Sequence, residues 1–377
     1  MLHSGKQEQS LFPLVGNIFA KDNLYSGTTK QTTFPDAATV SRHYITAPVQ
    51  PEHTVSRHAA KALTQRDGPA SDYRLTIKMN TEQNTTTRWM NGIAYEVAFW
   101  NNVYRWKWTF DGMMNWSKYG GVITLEGFDA NAFLIKTDNP KVLDVGCGMS
   151  YATGNHIMRD GRLMPLDIRY IDPLAAYFNR IMARHRRKLP EIEFGMAEYL
   201  SAFYPSHDIS LVVIQNALDH SANPMKSIYE SIDVLKKGGC LYLNHHINEA
   251  ETEHYKGFHQ YNICREDGKL IIWNKNERHD VAELTAGFAE LTVGLTENGH
   301  VAAVIRKTAD VPQSLIDDKG DKRALCSLFM ENARTASSPW HGLKNSAAYW
   351  KYNILQFFIQ SLPWALKMKL KKLIRQA

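Results

Sequence analysis

The hydrophobic and polar positions of this chain alternate between two patterns from residue 141 onwards. Short apolar runs predict strands: KVLDVG, LDIRYID, EIEFGMAE, DISLVVIQNAL and CLYLNHHIN. The segments PLAAYFNRIMARHRR and NPMKSIYESIDVLKKGG predict helices, and the second is expected to end at a glycine cap. Strands that alternate with helices form a parallel sheet with right-handed crossovers, so the pattern predicts an α/β fold.

Two turns that end in glycine predict hairpins in the last part of this region. NICREDGKLIIWN has Asp267-Gly268 between two apolar runs, which predicts a hairpin insertion near 261–274. FAELTVGLTENGHVAAVIRKT has Asn298-Gly299 between two further strands. The second hairpin is expected to add an antiparallel edge to the sheet.

The segments that flank this domain have different compositions. Residues 1–78 are rich in Thr, Ser, Gln, Asn, His and Pro and show no periodicity, which predicts disorder. An alternative hypothesis is that this segment is a gene-model extension and that the protein starts at Met79. Residues 79–137 form a predicted helical, aromatic-rich cap, where Tyr95, Phe99, Val103 and Trp106 have helical spacing. This helix either packs on the neighbouring domain or covers a substrate such as a sugar ring; large aromatics are usually buried, which favours packing.

Residues 309–377 are predicted to form a helical extension with a basic amphipathic tail. Seven Lys or Arg and no acidic residue follow His341, and leucines and an isoleucine form one stripe between 362 and 375. The stripe either lies on an anionic membrane surface or docks on the domain with a solvated basic face, and amphipathicity alone does not separate the two.

Composition indicates the cellular compartment and the class of protein. The chain is 44% hydrophobic and 22% charged with a net charge of +6, which is ordinary for a soluble globular protein. Its four cysteines form no paired motif, which fits a reducing cytosol. No apolar run is long enough for a transmembrane helix, and no signal peptide is evident. We therefore expect a cytoplasmic protein, at the inner face of the membrane if the tail binds lipid.

The stretch KVLDVGCGMS carries the main chemical signal. Asp144 precedes Gly146 and Gly148, whose backbones can approach a ligand closely. A dinucleotide fingerprint needs a third glycine where Tyr151 stands, and a phosphate loop ending in Gly-Lys-Ser or Gly-Lys-Thr is absent. An acidic residue entering the turn suits a ligand with a cationic amino-acid part. Asp172, at the end of the second strand, can accept ribose hydroxyls or cap the helix that Pro173 opens.

The set VLDVGCG, IDPLA, GMAEYL, VVIQNALDHSANP and LKKGGCLYLNHHINEAE resembles the class I S-adenosylmethionine (SAM)-dependent methyltransferase family over about residues 138–308. The resemblance implies a Rossmann-like, seven-stranded, mostly parallel sheet with a reversed last strand, and SAM as cofactor. Many members have Asp where Met196 stands, so a side-chain bond to the adenine is doubtful here. The cofactor-binding residues that the resemblance implies are Asp144, Gly146, Gly148, Asp172, Ala197, Glu198 and Asn216.

NALDHSANP, NEAETEHYKGFHQYN and EVAFWNN are similar to a bacterial subgroup that is associated with surface-polysaccharide biosynthesis. This resemblance implies O-methylation of a sugar hydroxyl, phosphate or carboxyl group on a glycan or its precursor. The alternatives are a small-molecule N-methyltransferase and a non-catalytic module that binds the cofactor. A NAD-dependent oxidoreductase is disfavoured by Tyr151.

A hydroxyl acceptor benefits from a general base, and histidine is the usual one. We expect Asp219, His220 and His259 to serve, because their loops face the donor's methyl group; each is alternatively a surface or capping residue. His245, His246, Glu249 and His254 are further candidates, but their spacing matches no standard zinc pattern, so no metal is expected.

The acceptor is expected to be a glycan or a small molecule. Residues 216–219 read Asn-Ala-Leu-Asp, unlike the Asn-Pro-Pro-Tyr of amino-methylating enzymes of DNA and glutamine. No basic-aromatic stripe suited to single strands stands out in residues 138–308, so no nucleic-acid partner is expected.

Overall fold

The structure is a computed structural model that describes residues 92–93, 95–255 and 257–316, with isolated residues between 322 and 366. All of them belong to one compact unit. The expectations for residues 1–78 fall outside the described residues, as do those for the basic tail except at Leu362 and Leu366.

Eleven strands and seven α-helices are described between residues 95 and 316. The strands are β1 (Lys141–Val145), β2 (His156–Arg159), β3 (Arg162–Pro165), β4 (Asp167–Ile171), β5 (Ile209–Gln215), β6 (Leu235–His245), β7 (Asn262–Glu266), β8 (Lys269–Trp273), β9 (Arg278–Asp280), β10 (Ala289–Leu295) and β11 (Val301–Lys307). The helices are α1 (95–105), α2 (Lys107–Met114), α3 (Ala130–Ile135), α4 (Ala175–Arg184), α5 (Pro224–Val234), α6 (Glu249–Thr252) and α7 (Val281–Thr285).

The central sheet has six strands in the order β10-β11-β6-β5-β1-β4. Strands β4, β1, β5 and β6 are parallel, while β11 runs antiparallel to β6 and β10 antiparallel to β11. Burial along β5 is nearly complete, which is typical of a strand covered on both faces. The prediction of a mostly parallel, Rossmann-like α/β fold with a reversed last strand is therefore confirmed.

The strand count is six where the resemblance implied seven. The segment EIEFGMAE, which was predicted to be a strand, contributes one parallel bridge, between Ile171 and Glu193. The segment is preceded by Pro190, which has no backbone N–H to donate, and a 3-10 turn begins within it at Ala197. The segment is therefore too short to extend the ladder beyond the edge of β4.

The connection from β1 to β4 contains no helix, although the alternation of strands and helices implied one there. A hairpin of β2 and β3 replaces it, closed by Asp160 and Gly161, both in the left-handed region. Helix α1 packs beside the glycine turn instead: the Tyr104 hydroxyl donates to the Met149 carbonyl at 2.6 Å. The signal for the hairpin was present in the sequence as Asp-Gly between two four-residue segments, HIMR and RLMP.

Two further predictions were confirmed in outline and corrected in detail. The hairpin near 261–274 is present as β7 and β8, with Asp267 and Gly268 in the left-handed region, and β9 extends it to three strands. Helix α5 ends at Val234, because the chain is already extended at Leu235, and the residues up to Gly239 begin β6 rather than capping the helix.

Part of the aromatic segment packs into the domain, whereas Trp108 and Trp116 are 47% and 60% exposed. Phe99 and Val103 on α1 are buried in a core cluster with α4. Described residues of the C-terminal extension contact the same region: the Asn102 amide donates to Asn353 Oδ1 at 3.0 Å, and the Trp106 and Phe357 rings lie 5.4 Å apart. Within the described ranges, no helix is long and apolar enough to cross a membrane.

Candidate functional site

The glycine turn after β1 is a close-packed corner at the carboxyl edge of the sheet. Gly146 and Gly148 have φ of +67° and +54°, a region that residues with a Cβ rarely adopt. A Cβ on Gly146 would lie 2.4 Å from the Cβ of Ala217, and one on Gly148 would lie 3.1 Å from the Trp100 ring. Both glycines are therefore required by backbone geometry and by space.

Asp144 lies at the end of β1, directly below this turn. Its side chain is buried, and its Oδ2 atom has no hydrogen-bond partner among the described residues. Burial raises the pKa of the carboxyl to about 7, opposed by a hydrogen bond with the Thr153 side chain. A buried acceptor atom without a partner is costly, so this carboxylate is suited to a cationic ligand group.

Asp172 lies at the end of β4 and holds the turn from the other side. The Gly148 N–H donates to its Oδ2 at 3.0 Å and the Leu174 N–H to its Oδ1 at 2.8 Å. Burial raises the pKa of this carboxyl to about 7, opposed by those two hydrogen bonds. Because α4 begins only at Ala175, Asp172 is not the cap of that helix, and its carboxylate faces the glycine turn.

Glu198 and Asn216, two of the expected cofactor-binding residues, have defined hydrogen-bond partners. Glu198 is buried in the 3-10 turn that begins at Ala197, and its Oε1 accepts a hydrogen bond from the Ala222 N–H at 2.8 Å. The carboxylate therefore holds the loop after His220 in place. Asn216, in a left-handed conformation after β5, accepts from the His246 N–H at 3.1 Å and joins the ends of β5 and β6.

The three expected catalytic residues come together, although 39 residues separate the two histidines. His259 Nδ1 lies 2.8 Å from Asp219 Oδ2 and 3.2 Å from His220 Nε2, and His220 Nε2 lies 3.4 Å from Asp219 Oδ2. The Gln260 N–H donates to the Asp219 carbonyl at 3.1 Å, which fixes the loop of His259 against the turn after β5. We call these three residues the acceptor cluster.

The acceptor cluster is electrostatically coupled. Burial disfavours the charged form of Asp219, but His220 and His259 outweigh it and lower the pKa of the carboxyl well below its usual range. Burial also opposes the charge of His259, yet the hydrogen bond and charge of Asp219 raise its pKa to about 9. Burial lowers the pKa of His220 to about 4. These shifts favour a charged pair of Asp219 and His259 beside an uncharged His220.

Further buried ionisable groups surround the acceptor cluster. Burial, reinforced by Asp219, raises the pKa of Glu249 to about 8. His245 is 2% exposed, and neither of its ring nitrogens has a partner among the described residues. Its pKa is lowered to about 4 by burial. His246 instead makes an edge-to-face contact with His300, with ring centroids 4.1 Å apart.

Glu96 is a site residue that the sequence analysis missed. It accepts a hydrogen bond from Trp100 Nε1 at 2.8 Å, and burial raises the pKa of its carboxyl. Its partner Trp100 has its ring close to Gly148 of the glycine turn, and the Glu96 charge interacts with those of His259 and Asp172. The available signal was the EVAFWNN stretch, where a single acid stands among apolar and aromatic residues.

These observations define a Rossmann-like domain whose candidate ligand site lies at the carboxyl edge of the sheet, at the ends of the parallel strands β4, β1 and β5. The solved structures similar to this chain include SAM-dependent methyltransferases. A 16S rRNA methyltransferase of T. thermophilus, in complex with SAM and guanosine, is 15% identical over 49% of this chain and 40% of its own, with a TM-score of 0.28.

Two others are similar to comparable extents. A SAM-dependent methyltransferase of Thermotoga maritima, described as a possible histamine N-methyltransferase, is 14% identical over 55% of this chain and all of its own (TM-score 0.32). The trans-methyltransferase CalH in complex with SAH is 14% identical over 47% of this chain and 54% of its own (TM-score 0.33). No family model and no curated protein matches the sequence.

Proposed function

We propose that this protein is a SAM-dependent methyltransferase that methylates a hydroxyl, phosphate or carboxyl oxygen of a glycan or glycan precursor. The observation that carries the proposal is the buried Asp144 carboxylate beside the glycine turn, with one oxygen that has no partner among the described residues. SAM has both an ammonium and a sulfonium group to place near such a carboxylate. The resemblance of the sequence to class I methyltransferases supports the same ligand.

The path of the chain after the glycine turn argues against a dinucleotide. Pyrophosphate binding in Rossmann folds uses the N–H groups and dipole at the start of the helix that follows this turn. In this protein the hairpin of β2 and β3 follows, not a helix. A ligand without a pyrophosphate fits this turn better, which is consistent with Tyr151 in place of a third glycine.

The residues present fit SAM in chemical terms. Asp144 and the backbone of the glycine turn would hold its amino-acid part, and Asp172 would accept from its ribose hydroxyls. When bound, SAM supplies a methyl group that the sulfonium has already activated. The protein's own task is then to align the acceptor and to take up its proton. The acceptor cluster and Glu249 are the groups placed to do this.

A glycan acceptor is supported by the resemblance of three sequence stretches to the polysaccharide-associated subgroup. An amine acceptor is the second candidate, because Glu96, Glu249 and Asp219 place three carboxyl groups around the acceptor position. Carboxylates stabilise an ammonium group. Methyl transfer to amines with no transfer to glycans would favour the second candidate.

Calorimetric titration of the full chain with SAM, and separately with NAD, tests the proposed cofactor. We expect one SAM per chain and no heat of binding from NAD. Binding of NAD without SAM would contradict the proposal. A stoichiometric SAM complex without transfer to any acceptor would favour a non-catalytic binding module.

The affinity for SAM is expected to depend on pH. Burial raises the pKa values of Asp144 and Asp172 from their ordinary acidic values to about 7. Between about pH 4 and about pH 7, the folded, ligand-free chain binds more protons than the unfolded chain. Its stability therefore falls as the pH rises through this range. A cationic ligand favours the ionised carboxylates, so binding releases protons below about pH 7 and ceases to do so above it.

Calorimetry in buffers of different ionisation enthalpy measures this proton release. We expect the affinity to rise by about tenfold per pH unit for each protonated carboxylate below about pH 7 and to level off above it. An affinity that is constant between about pH 6 and about pH 8, with no proton release, would show that neither carboxylate changes ionisation on binding.

We also propose that the C-terminal segment, residues 353–375, binds an anionic membrane surface. Ile354 and Phe358 are four residues apart and 53% and 63% exposed, whereas Asn353 and Phe357 contact α1 and its end. The segment is thus held to the domain by one face and presents apolar side chains on another. Four lysines and an arginine follow between 367 and 375, and such a sequence favours anionic headgroups.

Flotation with anionic vesicles tests the membrane proposal. Replacing Ile354 and Phe358 together by aspartate is expected to reduce recovery with phosphatidylglycerol vesicles at least about tenfold, because two apolar contacts are lost. Leu295→Asp is the matched control, since Leu295 is 56% exposed on β10. Equal recovery of the double variant and the control variant would contradict the proposal.

A further inference from the structure

The acceptor cluster has the geometry of a metal site. Its three donor atoms, Asp219 Oδ2, His220 Nε2 and His259 Nδ1, form a triangle with edges of 2.8, 3.2 and 3.4 Å. Metal–ligand bonds of about 2.0 to 2.2 Å place neighbouring donor atoms of tetrahedral or octahedral sites roughly 2.8 to 3.6 Å apart. All three edges fall within this range.

The three donor atoms can also interact without a metal ion, depending on the protons of the two histidines. When His259 Nδ1 and His220 Nε2 are protonated, both can donate to Asp219 Oδ2, at 2.8 and 3.4 Å. When both nitrogens are unprotonated, all three atoms are acceptors, and a cation inside the triangle is attracted to all three lone pairs.

Two buried groups next to the triangle supply a second observation. Asp219 is 2% exposed, and its other oxygen, Oδ1, has no hydrogen-bond partner within the described part of the chain. His245 is equally buried, likewise without a partner for either nitrogen, and its charge interacts with that of Asp219. Buried polar atoms without partners are rare and point to a missing ligand.

We infer that Asp219, His220 and His259 bind a divalent first-row transition-metal ion, whose remaining coordination positions hold the acceptor oxygen next to the cofactor site. Two imidazoles and one carboxylate suit Zn²⁺, Fe²⁺ or Mn²⁺ better than Mg²⁺ or Ca²⁺, which prefer oxygen ligands. The inference differs from the sequence-based expectation of no metal. That expectation considered His245, His246, Glu249 and His254, whereas the structure brings together Asp219, His220 and His259.

The role of the metal rests on the proposed function, but the metal site itself does not. A metal ion binds an oxygen acceptor as a Lewis acid and orients it. Asp219 follows Ala217 by two residues, and Ala217 packs against Gly146 of the glycine turn. An oxygen held by this metal would therefore lie near the proposed cofactor site.

The experiment uses full-length protein without a histidine tag, stripped with a chelator and dialysed against Zn²⁺, Mn²⁺ or Co²⁺. We expect elemental analysis to find one metal ion per chain. The visible spectrum of the Co²⁺ form is expected to show that nitrogen atoms coordinate the ion. His220→Gln and His259→Gln are each expected to weaken metal binding at least about 100-fold. His279→Gln is the matched control, because His279 pairs with Glu277 on the hairpin insertion, outside the acceptor cluster.

Calorimetric titration of the stripped protein with SAM separates this inference from the proposed function. Stoichiometric metal in the wild type that both cluster variants lose would support the metal site, whether or not SAM binds. Metal binding that is absent from the wild type, or unchanged in folded cluster variants, would overturn it. Retained SAM binding would then leave the proposed cofactor intact. A wild-type Co²⁺ spectrum does not depend on any variant's folding.

Discussion

Replacing Asp172 with alanine is expected to reduce the affinity for SAM at least about 100-fold. The carboxylate would accept from two ribose hydroxyls, and each hydrogen bond to a charged group contributes about 1.5 to 3 kcal/mol. The same side chain accepts from Gly148, so its loss also frees the glycine turn. Calorimetric titration measures the affinity, and thermal unfolding without ligand measures the cost to the fold.

Asp167→Ala is the matched control for this change. Asp167 begins the same strand, β4, but is exposed at the opposite edge of the sheet. It is expected to bind SAM as the wild type does. If Asp172 only fixes the backbone near α4, its alanine variant would lose about 1 kcal/mol of stability and still bind SAM. That result would remove Asp172 from the cofactor site.

Replacing Gly146 with alanine is expected to lower the free energy of unfolding by roughly 2 to 4 kcal/mol and to abolish SAM binding. The left-handed φ alone costs a residue with a Cβ about 1 to 2 kcal/mol. The new Cβ would also lie 2.4 Å from that of Ala217, so the turn and the end of β5 must separate. Urea unfolding and calorimetric titration measure the two effects.

Gly161→Ala separates the two contributions. Gly161 has a comparable φ of +72°, in the turn between β2 and β3, but a Cβ there would meet nothing within 4 Å. Its alanine variant is therefore expected to lose only about 1 to 2 kcal/mol and to keep its SAM affinity. Equal losses of stability and unchanged binding in both variants would contradict the close packing of Gly146 on Ala217.

The sheet was predictable from the sequence because its strands are short, apolar and separated by helical segments. The carboxyl ends of parallel strands meet at one edge, so Asp144, Asp172 and Asn216 could be placed there together. The third strand was overestimated, since an apolar run does not show whether the chain stays extended long enough to pair. Asp160-Gly161 was overlooked because a helix was expected after the glycine turn.

The acceptor cluster was predictable only in part. Asp219, His220 and His259 were named from their loops, but nothing local shows that three donor atoms from two loops converge within 3.4 Å. Glu96 was missed for a similar reason. It lies on a helix before the domain, and it is brought to the glycine turn by Trp100, whose ring lies beside Gly148.

The most direct test of the central claim is transfer of label from methyl-labelled SAM, by the purified full chain, to a lysate of its own source organism. The lysate is separated into lipid, polysaccharide, protein, nucleic-acid and small-molecule fractions. We expect label in the polysaccharide or lipid-linked fraction, dependent on Asp172. Label in the small-molecule fraction alone would favour the amine acceptor, and label in nucleic acid or protein would contradict the glycan. No label in any fraction, from protein that does not bind SAM, would contradict a methyltransferase.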